Sequence, residues 1–91
     1  MSRDDKLLEK LRNNPKNVRF EDLQKLLESF GFVLKRSSGS HHSFVGTINS
    51  EKVLLVVPYR RPLKAIYVKK ALKLIERIEN AEDGSDDDEN A

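Results

Sequence analysis

Two histidines, His41 and His42, stand side by side in a chain that has no other histidine and no cysteine. Histidine can take up and release a proton near neutral pH, because its unperturbed pKa is ~6.5. RNA carries its own nucleophile, the 2′-hydroxyl. One positioned base can direct that oxygen at the adjacent phosphate, and a nearby Lys or Arg can stabilise the charge that develops. This chemistry needs neither a metal nor a deep pocket, and a 91-residue chain has little room for an enclosed site.

The segment His41 to Ile48 alternates like a strand. His42, Phe44 and Ile48 fall on its apolar side, whereas His41, Ser43 and Thr47 fall on the other. His42 is therefore expected to face a core. His41, following the turn-forming Ser38-Gly39-Ser40, is expected on an open sheet face near Ser43 and in the middle part of the sheet. Two histidines on opposite strand faces cannot share one metal ion. The chain also lacks GxxxxGK[ST], GxGxxG and HExxH, so no metal and no cofactor is expected.

The net charge of +2 conceals a division. All 17 Lys and Arg residues lie at or before Arg77, and six of the 15 acidic residues lie between Glu82 and Glu89. Residues 1–80 hold 17 basic and nine acidic side chains, a net of +8 that attracts polyanions. Candidate RNA contacts are Lys35 and Arg36 before the turn and Ser40 within it. Arg60, Arg61 and Lys64 follow in a basic loop, and Lys69 and Lys73 on the last helix. The same lysines would also serve as an ordinary solvated helix surface, and Tyr59 could stack on a base or cover a sheet edge.

The elements that must carry these residues follow from periodicity. Leu7, Leu8 and Leu11 mark a short amphipathic helix over residues 3–13, stopped by Asn14-Pro15. Phe20, Leu23, Leu26, Leu27 and Phe30 share one face of a second helix, with Gly31 as its cap. Strands are expected at 32–37, 41–48 and 52–57, with Asn49-Ser50-Glu51 as a hairpin loop. The unbroken run Val53 to Val57 suggests a buried or central third strand. A last helix runs from Ala65 to Asn80 with Val68, Ala71, Leu72, Ile75 and Ile78 as its stripe. The expectation is an α+β domain over residues 1–80, core about 18–80, with a three-stranded antiparallel sheet and helices on one face. Residues 81–91 are expected to form a disordered acidic tail. No apolar run reaches the ~20 residues of a membrane span, and a cytoplasmic protein is expected.

Phe20-Glu21-Asp22-Leu23 leading to Leu27, then Phe30-Gly31-Phe32, Lys35-Arg36, Gly39-Ser40-His41-His42-Ser43-Phe44 and Val56-Val57-Pro58 before a basic loop resemble the HicA-type mRNA interferase toxin family. The resemblance spans roughly residues 18–78. It implies a double-stranded-RNA-binding-like fold of helix, three strands and helix, with the N-terminal helix as an addition. It implies metal-independent mRNA cleavage by one half of a type II toxin–antitoxin pair, monomeric when free, with a HicB-type antitoxin as partner. By motif it makes His41 the catalytic histidine. A non-catalytic RNA-binding module and a protein-interaction domain remain open alternatives, since fold alone does not fix function.

Overall fold

Asp4 begins the first helix: its carboxylate accepts the Leu7 backbone N–H at 3.1 Å, and α1 (Asp5–Asn13) follows, burying Leu8 and Leu11. The computed structural model describes residues 4–83, so the expected start at residue 3 lies outside them. The second helix, α2 (Phe20–Ser29), has no side-chain cap, as Arg19 suggests. The Arg19 carbonyl instead accepts the N–H groups of Asp22 and Leu23 at 3.0 and 3.1 Å. At the other end the Gly31 N–H bonds to Glu28 and the Phe32 N–H to Leu27, both at 3.0 Å, a Schellman closure. That closure turns the chain straight into the sheet.

The sheet consists of β1 (Val33–Ser38), β2 (His41–Ile48) and β3 (Glu51–Pro58), antiparallel and in spatial order β1-β2-β3. The second hairpin is tighter than expected. Asn49 and Ser50 alone form its loop, at φ 53° and 68°, and Glu51 already pairs with Ile48. Two successive positive φ values match the right-handed twist of the flanking strands. The apolar run of β3 also reads differently in place: β3 is an edge strand, not a central one. Leu55 and Val57 are buried, whereas Leu54 is 62% and Val56 37% exposed.

The third helix, α3 (Ala65–Asp83), extends three residues beyond the expected Asn80, into the segment expected as tail; the rest of that segment, residues 84–91, lies outside the described residues. Val68, Ala71, Ile75 and Ile78 of α3 join Leu23, Leu26 and Leu27 of α2 and Phe44, Ile48, Leu55 and Val57 of the sheet in one core. The result is an α+β fold, helices on one sheet face and the other face open. The order α2-β1-β2-β3-α3 is the double-stranded-RNA-binding-like arrangement, with α1 added.

One position on the core face of β2 leaves no room for a side chain. A Cβ placed on Gly46 would lie 2.7 Å from the Phe32 ring, which is 1% exposed and cannot swing into solvent. Gly46→Ala should lower stability by about 1–3 kcal/mol, read as a fall in melting temperature with the fold retained. An unchanged melting temperature would mean that Phe32 has space to retreat.

Candidate active site

The two adjacent histidines occupy different environments. His42 lies on the helix side, its ring 4.7 Å from that of Phe20 and 6.0 Å from that of Tyr59. Its Nδ1 lies 3.0 Å from the Ser40 carbonyl. A carbonyl can only accept, so Nδ1 carries the proton of this bond. The same carbonyl accepts the Tyr59 backbone N–H at 2.6 Å. Ser40 thus ties the turn before β2 to the chain leaving β3, and His42 is held between that junction and α2.

His41, one residue earlier, points to the open face and is exposed. Residues paired across strands point to the same side, which orders the open face into rows. Ser38, His41 and Pro58 form the first; Arg36, Ser43 and Val56 the second; Val33, Val45 and Leu54 the third. His41 is therefore near Ser43 as expected, but it stands at the end of the sheet, beside the Gly39-Ser40 turn, and not in the middle part. Gly39 adopts φ 59°, which lets so short a turn close directly before the histidine.

Arg36 reaches this face through an irregularity. Leu34 pairs with Phe44 and Arg36 with Ser43, so Lys35 is an extra residue, a β-bulge. Without it Arg36 would share the core side with Leu34; with it, Arg36 flanks the row of His41. Lys35 itself is exposed on the bulge.

A second group gathers at the same end of the sheet, below its edge. The Tyr59 hydroxyl donates to Glu21 Oε2 at 2.8 Å, and the Tyr59 ring lies 4.8 Å from Phe20. The hydrogen bond from Tyr59 lowers the Glu21 pKa below its ordinary 4.5, helped by its backbone bond and by the charges of Arg19 and Arg61. Arg61, beside the same hydroxyl, has its pKa raised by Tyr59 and then by Glu21. Arg19, Phe20, Glu21, Arg61 and Pro62 line an open cleft of about 410 Å³. Tyr59 is thus engaged with α2 and does not stand free to stack on a base.

The other basic candidates divide by position. Arg60, Arg61 and Lys64 are exposed in the loop after β3. Lys69 and Lys73 are exposed on α3, in the helix layer, so they do not share a face with His41. The participation of Glu21 and Arg19 was not visible in the sequence, where they lie 20 or more residues from the histidines and form no motif with them. Among the described residues no three His, Cys, Asp or Glu side chains assemble as a metal-binding group, and no helix is long and apolar enough to cross a membrane.

A family model, that of the HicA toxin of bacterial toxin–antitoxin systems, matches residues 20–76, more than half of the chain. No curated protein and no solved structure gives a significant match. The matched segment begins at Phe20, which packs on His42, and leaves out α1 and the end of α3.

Two outcomes follow from this geometry. His42→Ala removes a ring packed on Phe20 and should cost about 1 kcal/mol or more, seen as a lowered melting temperature. Glu21 gives an acid-side effect. Its folded pKa is depressed, so the stabilisation is complete above 4.5 and is lost as pH falls through the lowered value. The melting temperature of the parent should exceed that of Glu21→Gln at neutral pH, and the gap should close on acidification past 4.5. A gap that stays constant down the acid limb would show that the carboxylate charge plays no part.

Proposed function

The chain belongs to the HicA family of toxins from bacterial toxin–antitoxin systems, and from that membership we propose that it is a metal-independent endoribonuclease acting on mRNA, with His41 as its general acid–base group. The observation that carries the assignment to His41 is the opposite fate of the two neighbours. The His42 ring is used up by Phe20 and the Ser40 carbonyl, whereas the His41 ring is exposed on an open face. An open face suits a long polyanionic chain, which no enclosed site in a domain this small could admit.

In the proposed reaction His41 accepts the proton of a ribose 2′-hydroxyl. The 2′-oxygen attacks the adjacent phosphorus, and the bond from phosphorus to the 5′-oxygen breaks. The products are a 2′,3′-cyclic phosphate and a 5′-hydroxyl, whose oxygen takes up a proton from water, while the protonated His41 returns its own proton to solvent. Arg36, one row from His41, is the cation best situated to stabilise the charge on the phosphate. Lys35, Ser40, Arg60, Arg61 and Lys64 would hold the RNA on either side. Lys69 and Lys73, behind the sheet, would attract it from a distance.

The partner in this reading is a HicB-type antitoxin that covers the same open face. The row Val33, Val45 and Leu54 supports it: Val33 is 53% and Leu54 62% exposed, an apolar strip behind the catalytic row. The free toxin would be a monomer and would work in the cytoplasm, where mRNA is.

His41→Ala should slow cleavage of a single-stranded RNA by about 10²–10⁴-fold while the melting temperature stays put, because the lost ring is exposed. Cleavage at the parental rate by the His41→Ala protein would remove His41 from the mechanism.

A further inference from the structure

The cleft lined by Arg19, Phe20, Glu21, Arg61 and Pro62 lies off the open face and takes no part in the chemistry assigned to His41. Its volume, about 410 Å³, falls within the range of small-molecule sites. Phe20 and Pro62 supply apolar wall, and three charged side chains converge on it. We propose that this cleft is a nucleotide subsite that selects guanine in single-stranded RNA, with Glu21 reading the base and Arg19 and Arg61 holding its phosphate. The inference rests on the RNA-directed reading above and names a substrate preference for it.

The choice of guanine comes from the carboxylate. Glu21 Oε2 accepts the Tyr59 hydroxyl at 2.8 Å, which fixes the orientation of the group. A carboxylate has two oxygens and about four lone-pair sites, so the bonds from Tyr59 and from the backbone leave it able to accept again. The lowered pKa keeps Glu21 an acceptor and not a donor. Guanine alone among the four bases offers two adjacent donors on its Watson–Crick edge, N1–H and the N2 amino group, at the spacing of a carboxylate. Adenine and cytosine present one amino group beside a ring-nitrogen acceptor, which the carboxylate would repel. Uracil presents one N–H between two carbonyls.

The charges fit a nucleotide better than a bare base. Arg19 and Arg61 outweigh Glu21 by one positive charge, so the cleft favours an anion overall. Its position also matches the proposed reaction. Pro58 pairs with His41, and Tyr59 follows at once, so the cleft opens at the end of the sheet where His41 stands. A strand of RNA crossing that edge can place a base in the cleft and another of its phosphates on the open face.

The test is titration of the isotopically labelled full-length protein with GMP, AMP, CMP and UMP, followed by NMR. GMP should move the backbone amide signals of Glu21 and Arg61 and bind most tightly. Glu21→Gln keeps one acceptor, adds a donor and removes the negative charge, so it should weaken GMP binding by about tenfold without weakening AMP, CMP or UMP. Arg61→Ala should weaken all four. Equal affinity for the four nucleotides, shifts confined to other residues, or a Glu21→Gln protein that binds GMP as well as the parent would each overturn the subsite. Guanine selectivity in a protein that cuts no RNA would sink the nuclease reading and leave the subsite standing. Cleavage that depends on His41 but shows no GMP response in the cleft would sink the subsite alone.

Discussion

The ring of Phe20 is where three separate stretches of the chain meet. It is the first residue of α2 and is 4% exposed, packed on His42 at the start of β2, on Phe44 further along that strand, and on Tyr59 just after β3. Adjacent residues of a strand cannot face the same way. Once His42 is seated on Phe20 and its Nδ1 on the Ser40 carbonyl, the outward direction of His41 is settled. The exposure of His41 in so small a domain therefore depends on a packing contact on the far side of the sheet. The energy of that contact comes from ordinary apolar burial.

Charge is distributed less locally than the sequence suggests. The domain measures about 27 and 24 Å across its two shorter dimensions. The screening length at physiological salt is about 8 Å. Lys69 and Lys73, on the helix layer, therefore add to long-range attraction but are too far round the molecule to grip a phosphate that lies beside His41. In the proposed reaction contact falls to Arg36, brought to the open face by the bulge at Lys35, and to the loop after β3. A net of +8 over residues 1–80 thus speaks to encounter with a polyanion, and the few cations at one end of the sheet to its alignment.

Most of the architecture was legible because it rests on local periodicity. The stripe from Phe20 to Phe30, the Gly31 closure and the alternation of His41 to Ile48 each report a burial pattern that the core then realises. The misreadings have a common physical origin. An unbroken apolar run at Val53 to Val57 looks like a strand buried on both faces, yet β3 is an edge strand whose outward residues Leu54 and Val56 remain exposed. Periodicity reports hydrophobicity and not what covers it. The bulge at Lys35 leaves no mark in a six-residue strand, although it decides which way Arg36 points. Glu21 was invisible as a site residue because its significance depends on Tyr59, 38 positions away, arriving within 2.8 Å.

The row of His41 and the cleft below the sheet edge share one joint. The Ser40 carbonyl accepts from His42 and from the Tyr59 N–H, and Tyr59 in turn donates through its hydroxyl to Glu21. A backbone carbonyl serves here, so almost any residue at position 40 could supply the same bond; the Ser40 hydroxyl is left for other contacts. The constraint on sequence falls on the donors, His42 and Tyr59, and on the Phe20 ring that both touch. A displacement of Tyr59 would be felt at Glu21 and, through Ser40, at the turn that leads into His41. The two parts of the surface, the exposed His41 and the proposed nucleotide cleft, are therefore set in fixed relation by a few groups around a single buried ring.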